Sequence, residues 1–95
     1  MRVRKTDLAE NDLNIIYRFG YDRFGAVQAD RYANELFDLF ELLALNPLLE
    51  RERLDFARPV RIHQFKSHYI VYEIESDALV IVRVLSRYQN LPDHI

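Results

Sequence analysis

Four residues in the second half of this sequence have the types and spacing for work on an anion: Arg61, Arg83, Arg87 and Tyr88. Arginine offers a planar fork of donors that matches a phosphate, and a tyrosine beside it can pass a proton. Arg61 lies in a short alternating run. Arg83 interrupts the apolar run Ala78 to Leu85, and Tyr88 follows just beyond it. On one face of a sheet these side chains could hold a phosphate. The competing reading is structural. A guanidinium in an apolar strand is costly unless paired, so Arg83 is expected to reach a carboxylate, for example on the neighbouring strand, or a carbonyl or the surface. Arg61 is then a solvated sheet residue, and the residues alone favour this second reading.

No other set of side chains suggests catalysis. His63, His68 and His94 are the only histidines, and their spacing forms no metal pattern. His63 and His68 flank a predicted turn, where ordinary hydrogen bonds account for them. Ser67, Ser76 and Ser86 fall in turns or at a strand end without a nucleophile motif. Gly20 and Gly25 are the only glycines, so no phosphate-binding loop exists, and with no cysteine there is neither a disulfide nor a thiolate metal site. The expectation is a protein without cofactor or metal, in a reducing cytoplasm. Tyr32 and Tyr72 fall at core-facing positions, whereas Tyr21 and Tyr69 are better candidates for a partner surface.

The elements that must position these residues follow from composition and periodicity. Ninety-five residues allow one domain and one core, and six Tyr with six Phe bury much area per residue. The formal net charge is -2, which gives no general pull toward nucleic acid. The charge is uneven: Asp7 to Glu50 holds nine acidic and three basic side chains, and Arg51 onward holds seven basic and six acidic. No run approaches a membrane span, and the basic Met1 to Lys5 leads into Asp7 and Glu10 rather than an apolar signal segment.

Residues 2–5 alternate as a short edge strand, and Thr6 or Asp7 can cap a helix. Leu13, Ile16, Tyr17, Gly20 and Phe24 form one helical stripe, which leaves Ile15 and Phe19 off that face. Gly25 can end the helix and turn the chain. Ala29, Tyr32, Ala33, Leu36, Phe40 and Leu43 continue at helical spacing until Asn46-Pro47 stops them. Residues 48–59 read as a loop. Three strands follow: Val60 to Phe65, His68 to Glu75, and Ala78 to Leu85. The last is apolar on both faces and therefore central. Ser86 to Ile95 reads as a polar tail. The fold class is α+β in the order β-α-α-β-β-β: a single domain over 1–95, with an N-terminal helical hairpin packed on a small antiparallel sheet.

This order and spacing resembles the ParE branch of the RelE/ParE toxin superfamily. The residues that carry the resemblance are Asp12-Leu13, Ile16, Phe24-Gly25, Gln28-Ala29, Tyr32, Leu36, Phe40, Leu43-Ala44 and Pro47. Arg61, His63, Ser67-His68, Ile70, Tyr72 and Ile81 through Arg83-Val84-Leu85 continue it. The chain departs from the family pattern at Glu50-Arg51, at Ser86 where a histidine is usual, and at Arg87-Tyr88. The resemblance implies a cytoplasmic toxin of a type II toxin–antitoxin pair, held in a hetero-oligomer by a cognate ParD-like antitoxin. Freed, such a toxin inhibits DNA gyrase by protein–protein binding, without hydrolysis of its own. The alternative is a RelE-like ribosome-dependent mRNA endoribonuclease. A polyanion-directed enzyme is poorly served by a net charge of -2 and only two lysines, Lys5 and Lys66. Ile15, Phe19 and Tyr21 are the expected antitoxin-binding residues. Arg61, Arg83, Arg87 and Tyr88 are the candidates for target binding.

Overall fold

In the computed structural model, which describes residues 1–95, Thr6 ends the first strand and starts the first helix. Its backbone is extended, and its hydroxyl accepts from the Ala9 amide while donating to the Val82 carbonyl. Strand β1 (Arg2–Lys5) precedes this cap and helix α1 (Asp7–Phe24) follows it. Asp7 and Glu10 complement the positive end of α1, and Arg23 complements its negative end. Gly25 then turns the chain. Its φ of 88° lies where side-chain-bearing residues are strained, and it closes α1 by donating to Tyr21 O. The Gly25 carbonyl accepts from Ala29, so the same residue opens helix α2 (Ala26–Leu45). The expected hairpin is therefore present, joined through one residue.

Strands β2 (Arg61–Phe65), β3 (His68–Glu75) and β4 (Ala78–Ser86) form the antiparallel meander. The sheet order is β1-β4-β3-β2, and β1 pairs with β4 in parallel. The expected antiparallel meander is present, and β1 joins its edge in parallel, so the four-stranded sheet is mixed. Tight two-residue turns force β2, β3 and β4 to alternate direction. β1 leaves into a helix instead, so no turn dictates its direction, and it docks on the free edge of β4.

The core lies between α2 and the sheet. Leu36, Phe40 and Leu43 pack against Ile70, Tyr72, Leu79 and Ile81, and partly buried Leu13 and Ile16 close one side. The back of the sheet is also covered. Val71, Val80, Val82 and Leu85 form a second cluster with Val60 and with partly buried Phe56, Leu91 and Ile95. This explains why β4 is apolar on both faces. It also corrects the reading of the tail: Leu91–His94 is a short helix, α3, and Leu91 and Ile95, four residues apart, face the sheet. Two members of the expected α1 stripe lie outside the packed face. Tyr17 turns away to donate to Asp30 of α2, at 2.6 Å, and Phe24 sits exposed at the hairpin tip. No helix is long and apolar enough to cross a membrane.

Candidate functional site

Beyond Lys5 the edge of β4 has no strand partner, and α1 crosses it. Asp12 occupies the crossing point. Its carboxylate accepts from Arg83 Nε and Nη2 at 2.8 and 2.9 Å, and from the Val84 amide at 3.0 Å. These hydrogen bonds hold the Arg83 guanidinium further above its already high range. Asp12 is the one charged residue that is buried, and three donors offset its desolvation. The helix is thus anchored to a strand edge by a charged clasp. Arg83 pairs internally, as the structural reading required, but its acid comes from α1 rather than from the neighbouring strand.

Beyond Asp12, α1 keeps Leu13 and Ile16 against the core and turns other large side chains outward. Ile15 and Phe19, each nearly 60% exposed, continue the same side of the helix. They line a groove of about 870 Å³ that runs between the hairpin and the ends of β3 and β4. Its floor includes Tyr32 and His68, whose Oη and Nδ1 are 2.6 Å apart. Burial, and secondarily Glu35, pushes the Tyr32 hydroxyl above its usual range, and burial pushes the His68 imidazole below its own. Both are therefore neutral at pH 7. At the rim Lys66 lies over the Tyr32 and Phe65 rings and pairs with Glu35 at 2.6 Å. Tyr88, 80% exposed, closes the strand end of the groove, with the Arg87 guanidinium stacked on its ring.

The residues singled out from sequence divide in an informative way. Ile15, Phe19 and Tyr88 share the groove. Tyr21 does not. It belongs to a smaller, shallow recess with Asn14, Tyr17 and Arg18 on another side of α1. Arg61 lies on β2, where its guanidinium donates to the Glu50 carbonyl, and nearby His63 meets the Glu50 carboxylate at 2.7 Å. Arg61 and Arg83 are separated by β3, each with its own internal partner, so the phosphate-holding surface is not assembled. Arg87 and Tyr88 alone of that set are exposed and adjacent. Sequence reasoning missed the roles of Asp12, Lys66 and the Tyr32–His68 pair. The signal for Asp12 was Arg83 itself, which demanded an acid, but that acid is 71 residues away in the chain.

A groove rimmed by large apolar side chains, with neutral polar groups at its floor, can bury a helical or extended segment of another polypeptide.

The family model described as the ParE toxin of the type II toxin–antitoxin system parDE matches residues 3–91. A curated relative, toxin ParE3 of Caulobacter vibrioides, is 28% identical over 90 residues, covering 95% of this chain and 90% of its own. Among solved structures, a chain of the chromosomal ParDE toxin–antitoxin system from P. aeruginosa superposes with a TM-score of 0.76. It is 18% identical, with 90% of this chain and 95% of that chain covered, and so speaks to the fold.

Proposed function

This chain belongs to the ParE toxin family of type II toxin–antitoxin systems, and we propose that it acts by binding DNA gyrase and is silenced when an antitoxin segment fills the groove. The observation that carries this reading is the apolar wall of α1, Ile15 and Phe19, left uncovered beside the ends of β3 and β4. In water such side chains favour association, and a partner that buries them gains about 25 cal/mol per Å² of apolar surface. The toxin is cytoplasmic, where gyrase resides. Arg87 and Tyr88 are the proposed target contacts, because they are exposed and stacked as a preformed pair. Arg61 and Arg83 belong to the same proposed set only as supports, since both guanidiniums are engaged within the fold.

The ribonuclease alternative draws less support, because the arginines it needs point to internal partners. Purified gyrase supercoiling and cleavage reactions, run beside a cell-free translation reaction, test the proposal. Expected is loss of supercoiling with accumulation of cleaved DNA, translation intact, and recovery when the antitoxin is added. Inhibited translation with unaffected gyrase rejects it.

A further inference from the structure

The C-terminal end of α2 carries a second exposed apolar surface, outside the groove. Leu42 and Leu45 stand three residues apart on one side of the helix, and Leu48 and Leu49 follow in the turn beyond Pro47. All four are about half exposed or more, Leu45 by 78% and Leu48 by 73%. None of them lines the groove, whose share of α2 ends at Leu36. The loop that presents them is fixed. The Asn46 amide donates to the Leu42 and Leu43 carbonyls, and the Leu49 amide closes a turn onto Asn46. Glu50 is held twice on β2, its carbonyl by the Arg61 guanidinium and its carboxylate by His63 at 2.7 Å. Arg53 then pairs with Val60 through two backbone hydrogen bonds. A surface held in this way loses little freedom when a partner covers it.

We propose that this leucine patch pairs two copies of the chain about a two-fold axis, with Glu41 of each copy meeting Arg51 of the other. Charge placement selects a second copy. Glu41 lies one turn before Leu45 on the same side of α2, and Arg51 lies two residues past Leu49. The patch is therefore flanked by an acid on its helix side and a base on its loop side. Both are exposed, and neither makes an ion pair within the chain. The last turn of α2 contains no cation either, so a base from outside also meets the negative end of the helix. A two-fold axis sets the helix side of each copy against the loop side of the other. A strongly acidic or strongly basic partner would match one flank and oppose the other. The four leucines expose roughly 400 Å² of apolar surface, a size common to functional patches. With the polar rim, two copies bury about 1,000 Å² in total, the floor for a specific interface. The pairing is thus reversible, with a Kd on the order of 10 μM. The groove lies outside this interface, so the pairing and the gyrase reading stand or fall separately.

Sedimentation velocity of the full chain, from about 1 to 300 μM, is the test. The mass is expected to rise with concentration from 11.4 kDa toward twice that value. Leu45→Ser and Leu48→Ser together keep the chain monomeric over the whole range, because both copies lose the centre of the contact. Glu41→Arg and Arg51→Glu each weaken pairing about tenfold, since symmetry removes two ion pairs and sets like charges together. Combining the two reversals restores the native constant to within about threefold, a recovery that a non-specific apolar contact would not show. Phe19→Ala, in the groove, leaves pairing unchanged. Circular dichroism confirms that every variant folds.

A chain that stays monomeric at every concentration overturns the proposal, as does a dimer indifferent to the leucine variant. Weakening by Phe19→Ala moves the contact to the groove and overturns it too. Single reversals without recovery in the combined variant rule out the pairing of Glu41 with Arg51 across the axis, and the proposal falls with it. If the native chain is monomeric and the leucine variant loses gyrase inhibition, the patch belongs to the target and not to a second copy.

Discussion

The two helices of the hairpin have similar lengths and opposite economies. α2 buries Leu36, Leu39, Phe40 and Leu43, with Ala29 and Ala44, against the sheet and its neighbour helix. α1 buries only Ala9 and Asp12, although it carries Leu8, Ile15, Phe19 and Phe24, each more than half exposed. One helix is held by apolar area and the other by Thr6 and Asp12 at a strand edge, helped by partial burial of Leu13 and Ile16. The difference teaches how a small domain can keep a large apolar surface in reserve. A helix docked by a polar clasp does not need all its large side chains inside, so they remain free for a partner.

The sharpest way to break this comparison is to cut into each helix. Phe40→Ala removes a fully buried ring from the centre of the core and is expected to cost about 3–5 kcal/mol. Urea unfolding followed by circular dichroism measures it. A cost under about 1 kcal/mol would mean that α2 is not the helix that carries the core. Next in size is the clasp. Asp12→Ala strands the Arg83 guanidinium and the Val84 amide, and about 3 kcal/mol is expected for breaking a largely buried pair. Arg83→Ala should cost less, since Asp12 keeps the Val84 amide. A double-mutant cycle between the two sites should return a coupling above about 1 kcal/mol. Additive effects would show that apolar contacts alone hold α1.

The contrast between the helices was half legible in the sequence. The stripe Ala29 to Leu43 named the core face of α2 because apolar periodicity reports burial directly. The same rule enrolled Tyr17 and Phe24 in the packed face of α1, where the structure exposes them, because periodicity cannot tell a core contact from a surface kept for another chain. Ile15 and Phe19 were recognisable as off-face, and both line the groove, whereas Tyr21 faces a different side. The clasp was legible only as a demand. Arg83 needed an acid, but long-range pairing leaves no local spacing to read. The parallel pairing of β1 and the docking of Leu91 and Ile95 were hidden for a similar reason, since short segments take their place from the tertiary surface they find.

Acid should separate the groove floor from the core by a smaller, pH-dependent effect. The folded pKa of His68 is held below its ordinary 6.5 by burial, so the unfolded chain binds this proton more readily than the folded one. The stabilisation is complete above about pH 6.5 and is lost as pH falls through the folded value. Tyr32 beside His68 is pushed above its usual range and stays neutral throughout, so it does not offset the loss. Denaturation midpoints of the native chain and of His68→Gln, compared from pH 7.5 to 5, check this. The native chain should weaken with acid more steeply than the variant. Parallel curves would remove His68 from the account.

The smallest effect on stability is the most diagnostic for the comparison. Phe19→Ala deletes a ring of the same size as that of Phe40, but one that is 58% exposed and makes its close contact with Arg23. Its removal should change the unfolding free energy by no more than about 0.5 kcal/mol, the range of ordinary surface substitutions. The same change should weaken the groove's hold on a helical partner by about tenfold or more, since a central aromatic anchor carries much of an interface's energy. Stability and binding then come apart at one residue. If Phe19→Ala unfolds the chain as Phe40→Ala does, α1 is a core helix after all and has no surface in reserve. If it leaves both quantities untouched, the groove is a by-product of how α1 is clasped, and the partner must seat elsewhere.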